Sequence, residues 1–93
     1  MNNLKELVKN PSATIVDVRN PWEYEMENIP GSKNIPLDLI QSRMDELKTL
    51  QSPVIFYCRS GNRSGMAVNI LKQQGLADIY NGGSLEEMQF LLN

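Results

Sequence analysis

The sequence has no histidine and a single cysteine, Cys58, in 93 residues. Without histidine there is no Cys–His pair to activate a thiol, and no conventional zinc site. One thiol cannot form an internal disulfide, which makes a reducing cytoplasm the expected location. Long apolar runs are also missing. The opening "MNNLKELVKN" lacks the apolar stretch of a signal peptide, and no later run approaches the roughly 18 residues of a membrane span. A soluble, unexported chain with no membrane partner is expected. Neither sign of charge dominates: nine basic and eleven acidic residues give a net charge of -2. The basic residues are scattered except for Arg59 and Arg63, so no nucleic-acid surface is expected.

What is present is ordinary globular composition, 41% hydrophobic and 22% charged, in a length that holds one core. Residues 1–93 are read as a single domain. Leu4, Leu7 and Val8 lie at helical spacing within residues 3–9, and Asn10-Pro11 ends that run. "ATIVDVR", residues 13–19, carries β-branched residues and apolar character on both faces, as a strand buried between layers does. Asn20 stands as an N-cap with Pro21 at the first helical position, opening a short helix to residue 26. "IPGSKNIP", residues 29–36, leaves room only for a very short strand at Asn34 and Ile35.

In residues 36–50, Leu37, Ile40, Met44, Leu47 and Leu50 make the apolar stripe of one amphipathic helix. "PVIFY", residues 53–57, is a compact strand that runs into Cys58, and a helix follows over 63–74 with Gly75 at its left-handed end. Residues 77–81 predict a last strand and Gly82-Gly83 a turn. Residues 84–92 predict a helix whose Ser84 and Glu87 have capping-box spacing.

Strands alternating with helices in so short a chain predict an α/β fold, a small and mainly parallel sheet covered by helices on both faces. Ligands of such sheets sit beyond the carboxyl ends of the strands, where Cys58 lies. A free thiol of pKa about 8.5 is only a few per cent ionised at neutral pH, and each unit of lowering takes about 1.4 kcal/mol. With no histidine, that lowering has to come from geometry. "RSGNR", residues 59–63, suits a loop whose backbone N–H groups point inward, with Gly61 easing the path. The helix starting near Arg63 adds the positive end of its dipole, and Arg59 and Arg63 add full charges. Such a loop stabilises an anion on sulfur and equally cradles an oxyanion brought to it. The plainer reading, a lone cysteine as a small buried hydrophobe, has the loop, the glycine and two arginines against it.

Four stretches, "IVDVRNPWEYE" (15–25), "IPGSKNIP" (29–36), "PVIFYCRSGNRS" (53–64) and "YNGGSLEEM" (80–88), resemble the single-domain form of the rhodanese family, the thiosulfate and persulfide sulfurtransferases, and run in its order. The resemblance implies a three-layer rhodanese-like fold, Cys58 as the catalytic residue, and a loop in which Arg59, Ser60, Gly61, Asn62 and Arg63 bind the substrate. Rhodaneses close a Cys-x4-Arg loop where related phosphatases use Cys-x5-Arg. Cys58 and Arg63 are separated by four residues, which favours sulfur over phosphate.

The implied reaction has two steps. The Cys58 thiolate takes the sulfane sulfur of a donor such as thiosulfate as a persulfide, and cyanide or a thiol then removes it. No metal or organic cofactor is implied. The expected partners are a small anionic sulfur donor and an external thiol, either a small molecule or a thioredoxin-like protein, because no second cysteine is present to resolve the persulfide. No feature specifies an oligomeric state.

Arg59 is expected to meet the donor, while Arg63 either does the same or pairs with a carboxylate to hold the loop. Ser60 and Asn62 are expected to shape the loop and Ser64 to start the helix. Asp17 and Arg19 match the family's first-strand signature and are expected in a salt-bridge network with Glu23 or the loop. The sequence departs from the family at Asn28, where many members carry histidine, at Gly65, where alanine is common, and at Met88, where tryptophan is frequent. Two further functions stay open: a phosphatase or arsenate reductase using the same thiolate, and a non-catalytic module that binds a partner.

Overall fold

The computed structural model describes residues 3–93. Among them, the strands Thr14–Asp17 (β1), Lys33–Asn34 (β2), Val54–Cys58 (β3) and Ile79–Ser84 (β4) form one sheet in the order β2-β1-β3-β4, with every pair parallel. The α-helices are Leu4–Lys9 (α1), Pro21–Met26 (α2), Met44–Lys48 (α3), Asn62–Gln73 (α4) and Leu85–Leu92 (α5). No helix among the described residues is long and apolar enough to cross a membrane.

Strand alternation builds the layers. Val54, Phe56 and Cys58 of β3 join one core with Val16, Ile40, Leu47 and the buried face of α4, Ala67, Val68 and Leu71. Ile55 and Tyr57, one residue out of phase, join the other core with Val8 of α1 and Met88 of α5. Every residue of β3 is buried, as a central parallel strand between two helical layers must be. The α/β sheet with helices on both faces is therefore the architecture expected from the sequence.

Two segments differ from expectation. Residues 36–50 form no single helix: a 3-10 helix at Leu37–Leu39 is followed by a turn, and α3 begins only at Met44. Within that turn the Leu39 carbonyl accepts both the Arg43 N–H and the Ser42 hydroxyl, each at 3.0 Å. The apolar stripe survives the break, because Ile40 and Leu47 still reach the core. The second difference is at Gly82-Gly83, which is strand rather than turn. In β4, Asn81 lies opposite Phe56 and Gly83 opposite Tyr57, so Gly82 is the extra residue of a bulge. A Cβ on Gly82 would lie 2.5 Å from the Met88 Sδ and 2.8 Å from Ile55 Cγ2, so only glycine lets the strand pass beneath α5.

Candidate active site

Cys58 is the final residue of β3, fully buried, with its side chain toward α4. Arg59, Ser60 and Gly61 make the connection, and Gly61 takes the left-handed conformation (φ 95°) that turns the chain into α4. That turn brings the helix start back onto the sulfur. The Gly61 N–H donates to Cys58 Sγ at 3.0 Å, and the backbone N–H and hydroxyl of Ser64 approach it at 3.5 Å each. Burial pushes the Cys58 thiol up. The Ser64 hydroxyl and the amides of Ser64, Ser60 and Gly61 outweigh it, so the net shift is downward. Without any histidine, the sulfur thus sits at a helix N-terminus among donors that favour its anion.

The two loop arginines differ in environment. Arg63 Nη1 and Nη2 donate to Glu23 Oε1 and Oε2 at 2.7 and 3.1 Å, fastening the far end of the loop to α2. The Arg63 guanidinium, the Asn20 N–H and the nearby Arg19 hold the Glu23 carboxyl down at about 2, against the opposing effect of its burial. Arg59 is exposed and forms no ion pair among the described residues. It borders a shallow cleft of about 440 Å³ with Arg19, Trp22, Glu23, Met26 and Glu27. Ser60 and Asn62 are exposed, the Asn62 N–H reaching the Ser60 hydroxyl at 3.4 Å.

Asp17 and Arg19 form an internal pair, with Arg19 Nη2 donating to Asp17 Oδ2 at 2.6 Å and to the Glu27 carbonyl at 2.6 Å. The guanidinium carbon lies 5.6 Å from the centre of the Tyr57 ring. Among the described residues no cluster of three or more His, Cys, Asp or Glu side chains could hold a metal ion. A separate hollow of about 280 Å³, lined by Leu47, Val54, Leu76 and Ile79, lies at the amino ends of β3 and β4, away from Cys58.

Against known proteins, residues 1–87 match the Rhodanese-like domain family. The chain belongs to that family. Its relatives include the uncharacterized Bacillus subtilis protein YqhL, 42% identical over 69 residues, which are 74% of this chain and 54% of YqhL. The chain thus spans about half the length of that relative. The Escherichia coli thiosulfate sulfurtransferase PspE is 34% identical over 74 residues, 78% of this chain and 71% of PspE. A solved structure of an E. coli rhodanese with anions superimposes with a TM-score of 0.73 at 33% identity, covering 81% of this chain and 89% of that one.

Sequence reasoning missed two residues of this rhodanese site. Ser64 is the third residue of α4 rather than a helix start, and its buried hydroxyl faces the sulfur. Asn81 was not singled out, yet it donates to the Gly61 carbonyl at 3.1 Å and accepts from the Ser64 hydroxyl at 2.7 Å. Its one signal in the sequence is a polar side chain in a short apolar strand just before the double glycine.

Proposed function

We propose that this chain is a rhodanese-type sulfurtransferase that carries sulfane sulfur as a persulfide on Cys58. The observation that supports it is the buried Cys58 sulfur held by the Gly61 and Ser64 N–H groups at the start of α4. In the first step the Cys58 thiolate attacks the outer sulfur of thiosulfate or of a persulfide or polysulfide. The donor S–S bond breaks and sulfite, or the donor thiolate, departs with the electron pair. In the second step cyanide or an acceptor thiolate attacks the terminal sulfur and returns Cys58 as thiolate, giving thiocyanate or the acceptor persulfide. Splitting the transfer in two needs no further cofactor, because the amides that stabilise the thiolate also stabilise the persulfide anion.

Arg59, exposed at the mouth of the cleft, receives the anionic donor, while Arg63 keeps the loop in shape through Glu23. The cytoplasm and a thioredoxin-like or small-molecule thiol acceptor complete this reading. Intact mass before and after thiosulfate, then after cyanide, tests it. A gain of about 32 Da that cyanide reverses and that Cys58→Ser lacks is expected. No gain with thiosulfate, polysulfide or glutathione persulfide would overturn the proposal, as would hydrolysis of an aryl phosphate faster than any sulfur transfer.

A further inference from the structure

The Asn81 side chain ties together three parts of the cysteine site. Its Nδ2 donates to the Gly61 carbonyl at 3.1 Å, and its Oδ1 accepts the Gly83 N–H at 2.9 Å. A carbonyl only accepts and a backbone N–H only donates, so these two partners fix which way round the amide lies. The atom presented to Ser64 is therefore the oxygen, 2.7 Å from the hydroxyl. Ser64 has one hydroxyl proton and two claimants for it, Asn81 Oδ1 at 2.7 Å and Cys58 Sγ at 3.5 Å. The nearer oxygen holds the proton while the sulfur is neutral. A charged sulfur is the stronger acceptor, and Asn81 Oδ1 retains the Gly83 N–H when the hydroxyl turns away.

Gly65 belongs to the same arrangement. A Cβ there would lie 3.3 Å from Asn81 Nδ2, tighter than an ordinary contact, so glycine in the first turns of α4 makes room for the amide. That glycine weakens the helix relative to alanine, and the bridge from Asn81 gives the cost a reason.

We propose that Asn81 is a positioning residue of the cysteine site, holding the Ser64 hydroxyl proton while Cys58 is a neutral thiol and yielding it when the sulfur becomes thiolate or persulfide. This rests on Cys58 being the sulfur that reacts. The charged groups around the site are Arg63, which interacts electrostatically with the sulfur, its partner Glu23 on α2, and the neighbouring Arg59. On the β4 side Glu87 is bound to the Ser84 N–H at 2.9 Å.

The test is an ultraviolet titration of the Cys58 thiolate, referenced to Cys58→Ser, in the unaltered protein, Asn81→Ala, Ser64→Ala and the double variant. Asn81→Ala frees the hydroxyl for the sulfur, and the thiol titration is expected to fall by about one pH unit. Ser64→Ala is expected to raise it, and adding Asn81→Ala to Ser64→Ala should then produce no fall. An equal shift from Asn81→Ala with and without the Ser64 hydroxyl, a rise, or no shift would overturn the proposal. Asn81→Asp supplies an independent arm: a carboxylate grips the proton and repels the thiolate, so the titration should rise, and a fall or no change would count against the proposal. The titration needs no sulfur donor, so its result and the mass measurement on the persulfide fail or succeed separately.

Discussion

Arg63 grips Glu23 with two hydrogen bonds, 2.7 and 3.1 Å long, that join the start of α4 to α2. Its guanidinium is engaged within the protein, which leaves Arg59 as the arginine of the loop without an ion pair among the described residues. Glu23 serves both ends of this link, because its Oε1 also accepts the Asn20 N–H at 3.0 Å.

Arg59→Ala should therefore weaken the capture of an anionic donor without loosening the fold. A rise in KM for thiosulfate of about tenfold is expected, with kcat little changed, as for a contact made equally in the ground and transition states. Arg59→Lys should recover most of the loss by keeping the charge. Steady-state kinetics with a parallel thermal melt checks both points. A melting temperature that drops along with activity would show a structural role instead.

The Glu23 carboxyl carries a pH dependence of stability. Its ionisation is held at about 2 in the folded protein against an ordinary 4.5, so the unfolded chain takes up the proton first as pH falls. The stabilisation is fully present above about 4.5 and disappears as pH drops through the folded value. The Arg63 side chain is 31% exposed, and solvent screening reduces the contribution to about 1–2 kcal/mol. Denaturant midpoints measured from neutral pH to about 3 should fall less steeply in Glu23→Gln than in the unaltered protein. Parallel curves would remove Glu23 from the explanation.

Asp17 is the most costly charge to remove. It is fully buried, and its carboxylate receives the Arg19 backbone N–H at 2.8 Å as well as the guanidinium. Asp17→Ala leaves Arg19 buried beside Tyr57 with its carboxylate partner gone, a loss of about 3–5 kcal/mol. Against a total stability of about 5–15 kcal/mol this shifts a urea midpoint by a large fraction of its value. An unchanged midpoint would mean that the pair is dispensable.

Two glycines separate steric crowding from backbone strain. Gly82→Ala drives a methyl group into Met88 Sδ and Ile55 Cγ2, and a loss of about 1–3 kcal/mol is expected. Gly75 has φ +91° with open space around it, so Gly75→Ala should cost about 1 kcal/mol from conformation alone. If thermal denaturation ranks the two the other way, the close passage of β4 beneath α5 is not what makes Gly82 necessary.

The legible parts of this protein were those written in local pattern. Asn20 and Pro21 marked the start of α2, Ser84 and Glu87 that of α5, and Gly75 the end of α4. The compact apolar run from Pro53 to Tyr57 led straight into Cys58 and placed it at the carboxyl end of a strand, where ligands collect. The stripe from Leu37 to Leu50 identified core residues but not the break between them, because burial rewards position whether or not the helical ladder is continuous. Asn81 escaped notice for a different reason. Its role depends on the register that sets it opposite Phe56, just before the bulge at Gly82, and register between distant strands leaves no mark in either segment.

The loop from Cys58 to Ser64 is fastened by Glu23 on one side of it in sequence and Asn81 on the other. In folding terms the loop around Cys58 is not a purely local structure. Before β4 has docked, the loop lacks the Asn81 bridge to Gly61 and Ser64, and before α2 has docked it lacks the Arg63 anchor. The finished shape of the loop is thus a property of the whole domain, set by contacts distant in sequence on both sides of it.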